Sequence, residues 1–189
     1  LQVERATWIG EFLGNVVGLA FALKHPERLD AMVQFHPICS HADVKDFPHT
    51  ASGENNLELR RSIETEGLAE WSRKTLWHRL DVDNASPEMA KWVANQVAAT
   101  SPVSVMNLRP HVGKWTQMVT DNLKNIRAPN LLLLADKSPN STRFQADFMV
   151  QTMLDAKLGI LEGYGNCMWL LKPEWCADQI FSFLSERSL

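Results

Sequence analysis

The stretch VERATWIGEFLGNVVGLAFALKHP, residues 3–26, decides the fold of this chain. Its apolar run Ala6–Ile9 has the character of a β-strand and is followed by Gly10, at which the backbone can reverse sharply. From Leu13 the apolar residues recur at spacings of three and four, which is typical of a helix with one buried face. Pro26 ends this helix, because the residue before a proline is disfavoured in the helical region. The stretch therefore predicts a strand, a tight glycine turn and a helix.

Strand, tight turn and helix form the local architecture of a nucleophile elbow, whose sequence pattern is G-x-S-x-G. In this chain the corresponding residues read Gly10-Glu11-Phe12-Leu13-Gly14. Both glycines are present, but a phenyl ring takes the place of the serine hydroxyl group. The sequence therefore predicts the backbone of an elbow without its nucleophile.

Five segments of the chain resemble consecutive parts of the α/β-hydrolase superfamily. They are the elbow and helix at residues 10–26, the next strand in ERLDAMV at 27–33, the late strand in RAPNLLLL at 127–134, the histidine loop in GYGN at 163–166 and the start of the final helix in KPE at 172–174. The middle of the chain, residues 61–80 and 100–125, most resembles the 3-oxoadipate enol-lactonase branch. The resemblance covers nearly the whole chain. It implies an α/β fold with a mostly parallel sheet, flanking helices and an inserted helical lid.

The alternation of apolar runs with helical patterns predicts the same parallel sheet from the residues alone. We expect strands at residues 1–9, 29–35, 126–135 and 158–162. We expect helices at 13–24, 57–80 with a break at Gly67, 87–99 with Ser86 as cap, 101–113, 142–154 and 173–186, and a loop at 36–56. The predicted organisation is one domain, with its core in residues 1–39 and 123–189 and a helical lid in residues 40–122.

The position of the elbow near the start of the chain raises a question of completeness. In the resembled superfamily four strands and a helix precede the elbow, which corresponds to roughly 80–90 residues at usual element and loop lengths. This sequence has no initiator methionine and begins almost at the elbow strand. We expect a separate or preceding N-terminal segment to complete the sheet, because the elbow strand would otherwise be an unprotected parallel edge. The alternative is a shortened fold that stands alone.

Composition excludes several classes of function. A formal net charge of −3 gives no electrostatic reason to expect nucleic acid or an anionic membrane as partner. No apolar run approaches the roughly 20 residues that span a bilayer. Three cysteines, Cys39, Cys167 and Cys176, are an odd number without metal-binding spacing, which indicates a reduced, cytoplasmic compartment. We expect no cofactor and no metal site.

A hydrolase of the resembled kind needs a nucleophile at the elbow, an acid after the late strand and a histidine near the end of the chain, in that order. These three positions fall on Phe12, Ser138 and Asn166. A phenyl ring has no nucleophilic atom, a serine carries no charge at neutral pH, and an amide cannot accept the proton. We therefore expect the serine–histidine–acid mechanism to be absent.

Other residues are candidates for a pocket at this site. They are Glu11, Leu13, His36, Trp115, Asp136, Cys167 and Trp169. Glu11 lies beside the elbow apex, and His36 follows a strand end, where functional residues of open α/β sheets collect. Asp136 or Asp43 could replace the acid, and Cys167 is the thiol nearest the expected site.

Each of these candidates also has a structural interpretation. Glu11 could lie in solvent, His36 could be hydrogen-bonded in its loop, and Asp136 could cap a turn. Cys167 could be a small buried hydrophobic residue. The tryptophans of the middle segment, Trp71, Trp77, Trp92 and Trp115, fit either an apolar lid over a cavity or ordinary core packing.

Two hypotheses of different class follow. The first is a non-hydrolytic ligand-binding or interaction protein, with a small apolar or lactone-like ligand beside Phe12. The N-myc-downstream-regulated proteins set a precedent: they share the fold, lack the triad, and have a late-strand ending similar to Ala135-Asp136-Lys137-Ser138-Pro139. The second is a lyase, cyclase, isomerase or decarboxylase that uses the same pocket on a lactone-like or polyketide-like substrate. An ordinary ester or lactone hydrolase ranks third.

Overall fold

The computed structural model describes residues 3–40 and 56–187, with only the backbone of residue 56. Its sheet has four parallel strands in the order β1-β2-β3-β4. They are β1, Ala6–Glu11; β2, Leu29–Phe35; β3, Asn130–Ala135; and β4, Ala156–Leu161. Strands that are consecutive in sequence are neighbours in space, so β1 and β4 are the two edges of the sheet within the described residues.

Seven helices occur in the described part of the chain. They are α1, Leu13–Lys24; α2, Asn56–Lys74; α3, Pro87–Ala98; α4, Pro102–Thr120; α5, Arg143–Thr152; α6, Met168–Leu171; and α7, Pro173–Ser185. None of these helices combines the length and the apolar character that crossing a membrane requires.

The sheet separates two hydrophobic clusters. Alternate residues of β2 enter opposite clusters: Met32 packs with α1 and α5, whereas Ala31 and Val33 pack with α7. All six residues of β3 are buried, which agrees with its mostly apolar sequence and with helices on both faces. The carboxyl ends of all four strands therefore meet at one edge of a well-packed core.

The helices α2, α3 and α4 follow one another between β2 and β3. Four buried side chains of α2, Leu59, Ile63, Leu68 and Trp71, pack against the partly buried Val97 of α3 and Val105 and Met106 of α4. Trp77 and Trp92 are 52% and 50% exposed, so they are not core residues within the described structure. The role of this segment as a lid stays a prediction.

Several predicted elements agree with the structure. The bounds of α1 and β2 are those predicted, Ser86 caps α3 through a hydrogen bond from the Met89 N–H, and α2 is interrupted at Gly67, where φ is 82°. These elements have strong local signals: periodic apolar residues, a capping side chain and a glycine at positive φ.

Other boundaries were wrong. β1 is Ala6–Glu11 instead of residues 1–9, because pairing with β2 continues to Glu11 before the chain turns. β3 begins at Asn130 instead of residue 126, because its pairing with β2 and β4 starts there and Pro129 has no N–H to extend it. β4 is Ala156–Leu161 instead of 158–162.

The helices show similar corrections. α4 continues past the predicted end at Gly113 to Thr120, with Pro110 inside it. α2 ends at Lys74 instead of residue 80, and the short helix α6 was not predicted. Most of the predicted loop at 36–56 lies outside the described residues.

A close approach of two backbone segments explains Gly10. A Cβ atom added at Gly10 would lie 2.7 Å from the carbonyl carbon and 2.8 Å from the carbonyl oxygen of Gly14. Backbone atoms at the start of α1 cannot move away without disturbing the helix. Gly10 therefore allows the end of β1 to pack directly against the first turn of α1.

This contact predicts the effect of Gly10→Ala. We expect the variant to lower the free energy of unfolding by about 1–3 kcal/mol, the range for overpacking a filled site. Gly113→Ala is the control, because an added Cβ atom there meets no atom within 4 Å. Alanine in the interior of a helix should raise stability by up to about 1 kcal/mol. Urea unfolding measures both changes, and equal stabilities of the two variants would contradict the packing argument.

Candidate site at the elbow

The elbow turn has its expected backbone with phenylalanine at the apex. Phe12 adopts φ 45° and ψ −106°, a region that non-glycine residues rarely enter. Its carbonyl oxygen accepts hydrogen bonds from the N–H groups of Asn15 and Val16, which begins α1. The Trp8 indole N–H donates to the Gly14 carbonyl at 3.1 Å and holds the strand against the helix. A strained backbone of this kind persists because its surroundings enforce it.

Aromatic and apolar side chains surround the apex. The Phe12 ring stacks on the His36 imidazole, with ring centroids 5.3 Å apart and planes 11° apart. Phe12, Leu13 and Trp115 all pack against the hydrophobic cluster beneath α1. Trp115 also stacks on His111, with centroids 5.5 Å apart. Phe12 and His36 thus form an aromatic contact at the apex, and Leu13 and Trp115 belong to the larger apolar cluster that Phe12 joins.

His36 is a fully buried histidine whose ring nitrogens make no hydrogen bond with the described residues. It follows β2 with φ 48°, and its backbone N–H donates to the Leu133 carbonyl. Neither ring nitrogen has a hydrogen-bond partner among the described residues, so the structure does not contain the ring hydrogen bond of the structural interpretation. Burial lowers the pKa of His36 from 6.5 to about 4, which makes the imidazole neutral at pH 7.

Glu11 lies between His36 and Trp169. Its Oε2 atom accepts a hydrogen bond from the Trp169 indole N–H at 2.9 Å. Its Oε1 atom is 4.0 Å from His36 Nε2, too far for a hydrogen bond, and has no other partner in the described structure. Burial raises the pKa of Glu11, and the bond from Trp169 partly opposes that rise. The side chain is 26% exposed, so Glu11 is not the solvated surface residue of the structural interpretation.

Ser138 and Asn166 meet each other, as the resemblance implies for those two positions. The Ser138 hydroxyl donates to Asn166 Oδ1 at 2.6 Å. The Asn166 amide donates to the His78 carbonyl at 2.6 Å, and the Asn166 side chain is completely buried. Ser138 Oγ also accepts from the N–H groups of Asn140 and Ser141. Their polar atoms therefore join the loops after β3 and β4 to the turn at His78.

Asp136 and Cys167 occupy positions that fit their structural interpretations. Asp136 Oδ1 accepts a hydrogen bond from the Gly163 N–H at 2.7 Å and so caps a turn. The Cys167 thiol donates to the Arg79 carbonyl, with sulfur and oxygen 2.9 Å apart. Burial raises the pKa of Cys167 to about 12, so its thiol is protonated at neutral pH and is a poor nucleophile. Asp43 lies outside the described residues.

Sequence reasoning missed the contribution of the turn after α2. The His78 carbonyl accepts from Asn166 and also from the Asn140 amide at 2.5 Å. Arg79 donates to the Ser72 carbonyl and the Thr75 hydroxyl group. Burial, with the nearby positive charge of Arg109, lowers the pKa of Arg79 to about 10. No local pattern in the sequence indicates that this turn lies beside residues 138–140 and 166–167.

Within residues 3–40 and 56–187, no three or more His, Cys, Asp or Glu side chains form a group that could hold a metal ion.

The buried imidazole predicts a pH-dependent stability. Folding lowers the pKa of His36 from 6.5 to about 4, so in this interval the unfolded chain binds more protons than the folded chain. The free energy of unfolding therefore decreases by about 3 kcal/mol in total as the pH falls from 6.5 towards 4. His36→Asn removes the titrating group and tolerates positive φ. Urea unfolding at several pH values should show a flatter pH dependence for this variant than for the wild type.

Glu11 also contributes to the pH dependence: because folding raises its pKa, its contribution to stability falls as the pH rises. Both proteins contain Glu11, so the difference between them reports on His36. His25→Asn is the control, because its ring is 42% exposed. It should keep the wild-type pH dependence. A wild-type slope in His36→Asn would contradict the assignment of a neutral buried imidazole.

No protein-family model matches this sequence, and no curated protein matches it. Solved structures do match. An esterase from Thermogutta terrifontis has a TM-score of 0.78 and 18% identity, over 97% of this chain and 65% of its own. The enol-lactonase from Burkholderia xenovorans LB400 has a TM-score of 0.78 and 14% identity, over 97% of this chain and 67% of its own. A hydrolase from Oleispira antarctica has a TM-score of 0.76 and 14% identity, over 97% of this chain and 66% of its own.

This chain thus spans about 65% of the length of the esterase. At these identities the likeness concerns the fold and carries no activity with it. The parallel sheet, the elbow turn and the order of the helices agree with that likeness: the chain has the α/β-hydrolase fold.

Proposed function

We propose that this protein is a non-hydrolytic member of its fold that binds a small apolar or lactone-like ligand. The observation that carries the proposal is the pairing of Ser138 with Asn166 and of Asn166 with the His78 carbonyl. In a hydrolase the corresponding pair would orient an imidazole toward a nucleophile. Here both side chains use their polar atoms in a buried network, and the elbow apex is Phe12.

The nearest alternative nucleophile also argues against hydrolysis. Cys167 is protonated at neutral pH, and its thiol is hydrogen-bonded to the Arg79 carbonyl. Glu11 has a carboxyl group beside the apex, but in the described structure its Oε1 atom lies 4.0 Å from His36 Nε2 and makes no hydrogen bond with it. The state of these two groups supports the proposal that the site does not hydrolyse its ligand.

The class of ligand follows from the apex and from the similar structures. Phe12 and Leu13 are partly buried apolar side chains at the elbow, and apolar side chains there suit a small ligand with few polar groups. Two of the similar structures are an esterase and an enol-lactonase. We infer a lactone-like ligand by analogy with them.

A second candidate function is a non-hydrolytic enzyme, such as a lyase, cyclase, isomerase or decarboxylase. Glu11 and His36 favour it, because both are ionisable groups with shifted pKa values beside the apex. Ester or lactone hydrolysis remains the third candidate.

We also propose that another polypeptide segment completes the sheet beside β1. In the described structure β1 pairs only with β2. Ile9 on β1 is 54% exposed, which leaves apolar surface on this strand. The similar structures extend beyond the region that this chain matches. A further strand beside β1 would pair with this edge.

Hydrolysis is tested with p-nitrophenyl butyrate. We expect the wild-type protein to release nitrophenol no faster than buffer, because Phe12 cannot form an acyl-enzyme. The variant Phe12→Ser/Ser138→Asp/Asn166→His restores the three residue types, and measurable hydrolysis by it would support the assignment of the three positions. Turnover by the wild-type protein would contradict the proposed function.

Native mass spectrometry tests the ligand and the completing segment together. We expect a mass above the 21.4 kDa of this chain, which on denaturation resolves into the chain and a second polypeptide or a small molecule. A second polypeptide supports completion of the sheet, and a small molecule identifies the ligand. A species of 21.4 kDa alone, stable and folded, would overturn the proposed completion of β1.

A further inference from the structure

We propose that the Glu11 carboxyl group transfers a proton between two carbon atoms of a lactone-like ligand at the elbow, with His36 as the buried residue that positions it. The reaction is an isomerisation and breaks no ester bond. The inference rests on the proposed function, since the ligand must reach the elbow without being hydrolysed.

The position of Glu11 is the first support. It is the last residue of β1 and precedes the apex residue Phe12. The carboxyl ends of parallel strands are where α/β proteins bind their ligands. Glu11 is 26% exposed, whereas His36 behind it is completely buried. The carboxyl group therefore lies between the surface and a buried imidazole.

The hydrogen bonding of the carboxyl group is the second support. One oxygen, Oε2, is held by the Trp169 indole N–H at 2.9 Å. The other, Oε1, has no partner in the described structure, and neither does His36 Nε2, 4.0 Å away. Buried polar atoms are rarely left unpaired, and such atoms often mark a functional group. A movement of about 1 Å would bring Oε1 and Nε2 within hydrogen-bond distance.

The pair can hold one proton in two ways. A protonated Glu11 can donate to the neutral imidazole, or an imidazolium can donate to the carboxylate. Burial disfavours both charged forms, because it raises the pKa of Glu11 and lowers the pKa of His36. Arg79 is the other charged group near this pair, since Glu11 and Arg79 both influence the pKa of Cys167. The Arg79 guanidinium group is hydrogen-bonded to Ser72 and Thr75. Because burial raises the pKa of Glu11, its carboxylate is a stronger base than an ordinary surface carboxylate, which suits general acid–base catalysis.

The step is balanced without another reactant. The Glu11 carboxylate removes a proton from the ring carbon next to the lactone carbonyl, and the electron pair of that C–H bond forms a dienolate. The protonated Glu11 then returns the proton to the ring carbon next to the ring oxygen. The carbon–carbon double bond moves by one position, nothing is oxidised or reduced, and no nucleophile is needed at the apex.

The test uses α-angelica lactone, a neutral enol-lactone, with the full chain in D₂O and detection by proton NMR. Isomerisation yields β-angelica lactone, which carries deuterium wherever the Glu11 proton exchanges with solvent before it is returned, whereas hydrolysis yields levulinic acid. We expect the wild-type protein to isomerise the lactone faster than protein-free buffer. Glu11→Gln should lower the rate at least about 100-fold, the lower end of the usual contribution of a general acid–base group. Glu162→Gln, which removes an exposed carboxyl group beyond β4, should leave the rate unchanged.

His36→Asn separates positioning from a purely structural role. If His36 positions Glu11, the variant should bind the lactone with similar KM, lose about tenfold in kcat and shift the pH profile of kcat. A purely structural role would reduce the folded fraction without moving the pH profile. Circular dichroism, with binding of γ-valerolactone, a saturated analogue, establishes that each variant is folded.

The outcomes distinguish this inference from the proposed function. Lactone binding without isomerisation, or isomerisation that survives Glu11→Gln, overturns the inference and leaves the binding proposal standing. Formation of levulinic acid by the wild-type protein overturns the proposed function as well. Isomerisation that depends on Glu11, with His36→Asn shifting the pH profile, supports the inference.

Discussion

The close approach of Gly10 to Gly14 is the constraint on which the elbow depends. Without a Cβ atom at Gly10, the end of β1 lies against the first turn of α1, and the turn at Phe12 adopts φ 45°. That turn fixes the direction of α1, whose buried face supplies Val16, Leu19 and Ala22 to the cluster above β2 and β3. The backbone geometry is thus set by glycines and packing. It does not require a serine at the apex.

The side chains around this backbone are hydrogen-bonded differently from those of a hydrolytic site. Ser138 and Asn166 satisfy their hydrogen bonds with each other, with neighbouring N–H groups and with the His78 carbonyl. Their network is complete, and a complete buried network stabilises and orders the loops that it joins. Glu11 and His36, by contrast, have unpaired polar atoms in the described structure. We expect any catalytic activity of this site to involve Glu11 and His36, because their hydrogen bonding is incomplete.

Local patterns explain which parts of this structure could be predicted. The periodic apolar residues of α1, the apolar run of β2 and the cap at Ser86 each determine an element within a few residues. The end of α4 could not be predicted, since a glycine inside a helix costs only about 1 kcal/mol and packing can override it. The meeting of Ser138 and Asn166 followed from the resemblance, but their bond to His78 depends on where the turn after α2 lies. Likewise, Trp169 and Glu11 are far apart in sequence, and only the tertiary fold brings them together.

The most direct test of the central claim is the intact mass of the protein after incubation with a fluorophosphonate, a reagent that forms a covalent bond with an activated nucleophile. A serine esterase treated in parallel provides the positive control. We expect the mass of this protein to stay unchanged, because Phe12 has no nucleophilic atom and the Cys167 thiol is protonated and hydrogen-bonded. A covalent adduct that peptide mapping places at the elbow would show that an activated nucleophile exists there and would contradict the claim of a non-hydrolytic site.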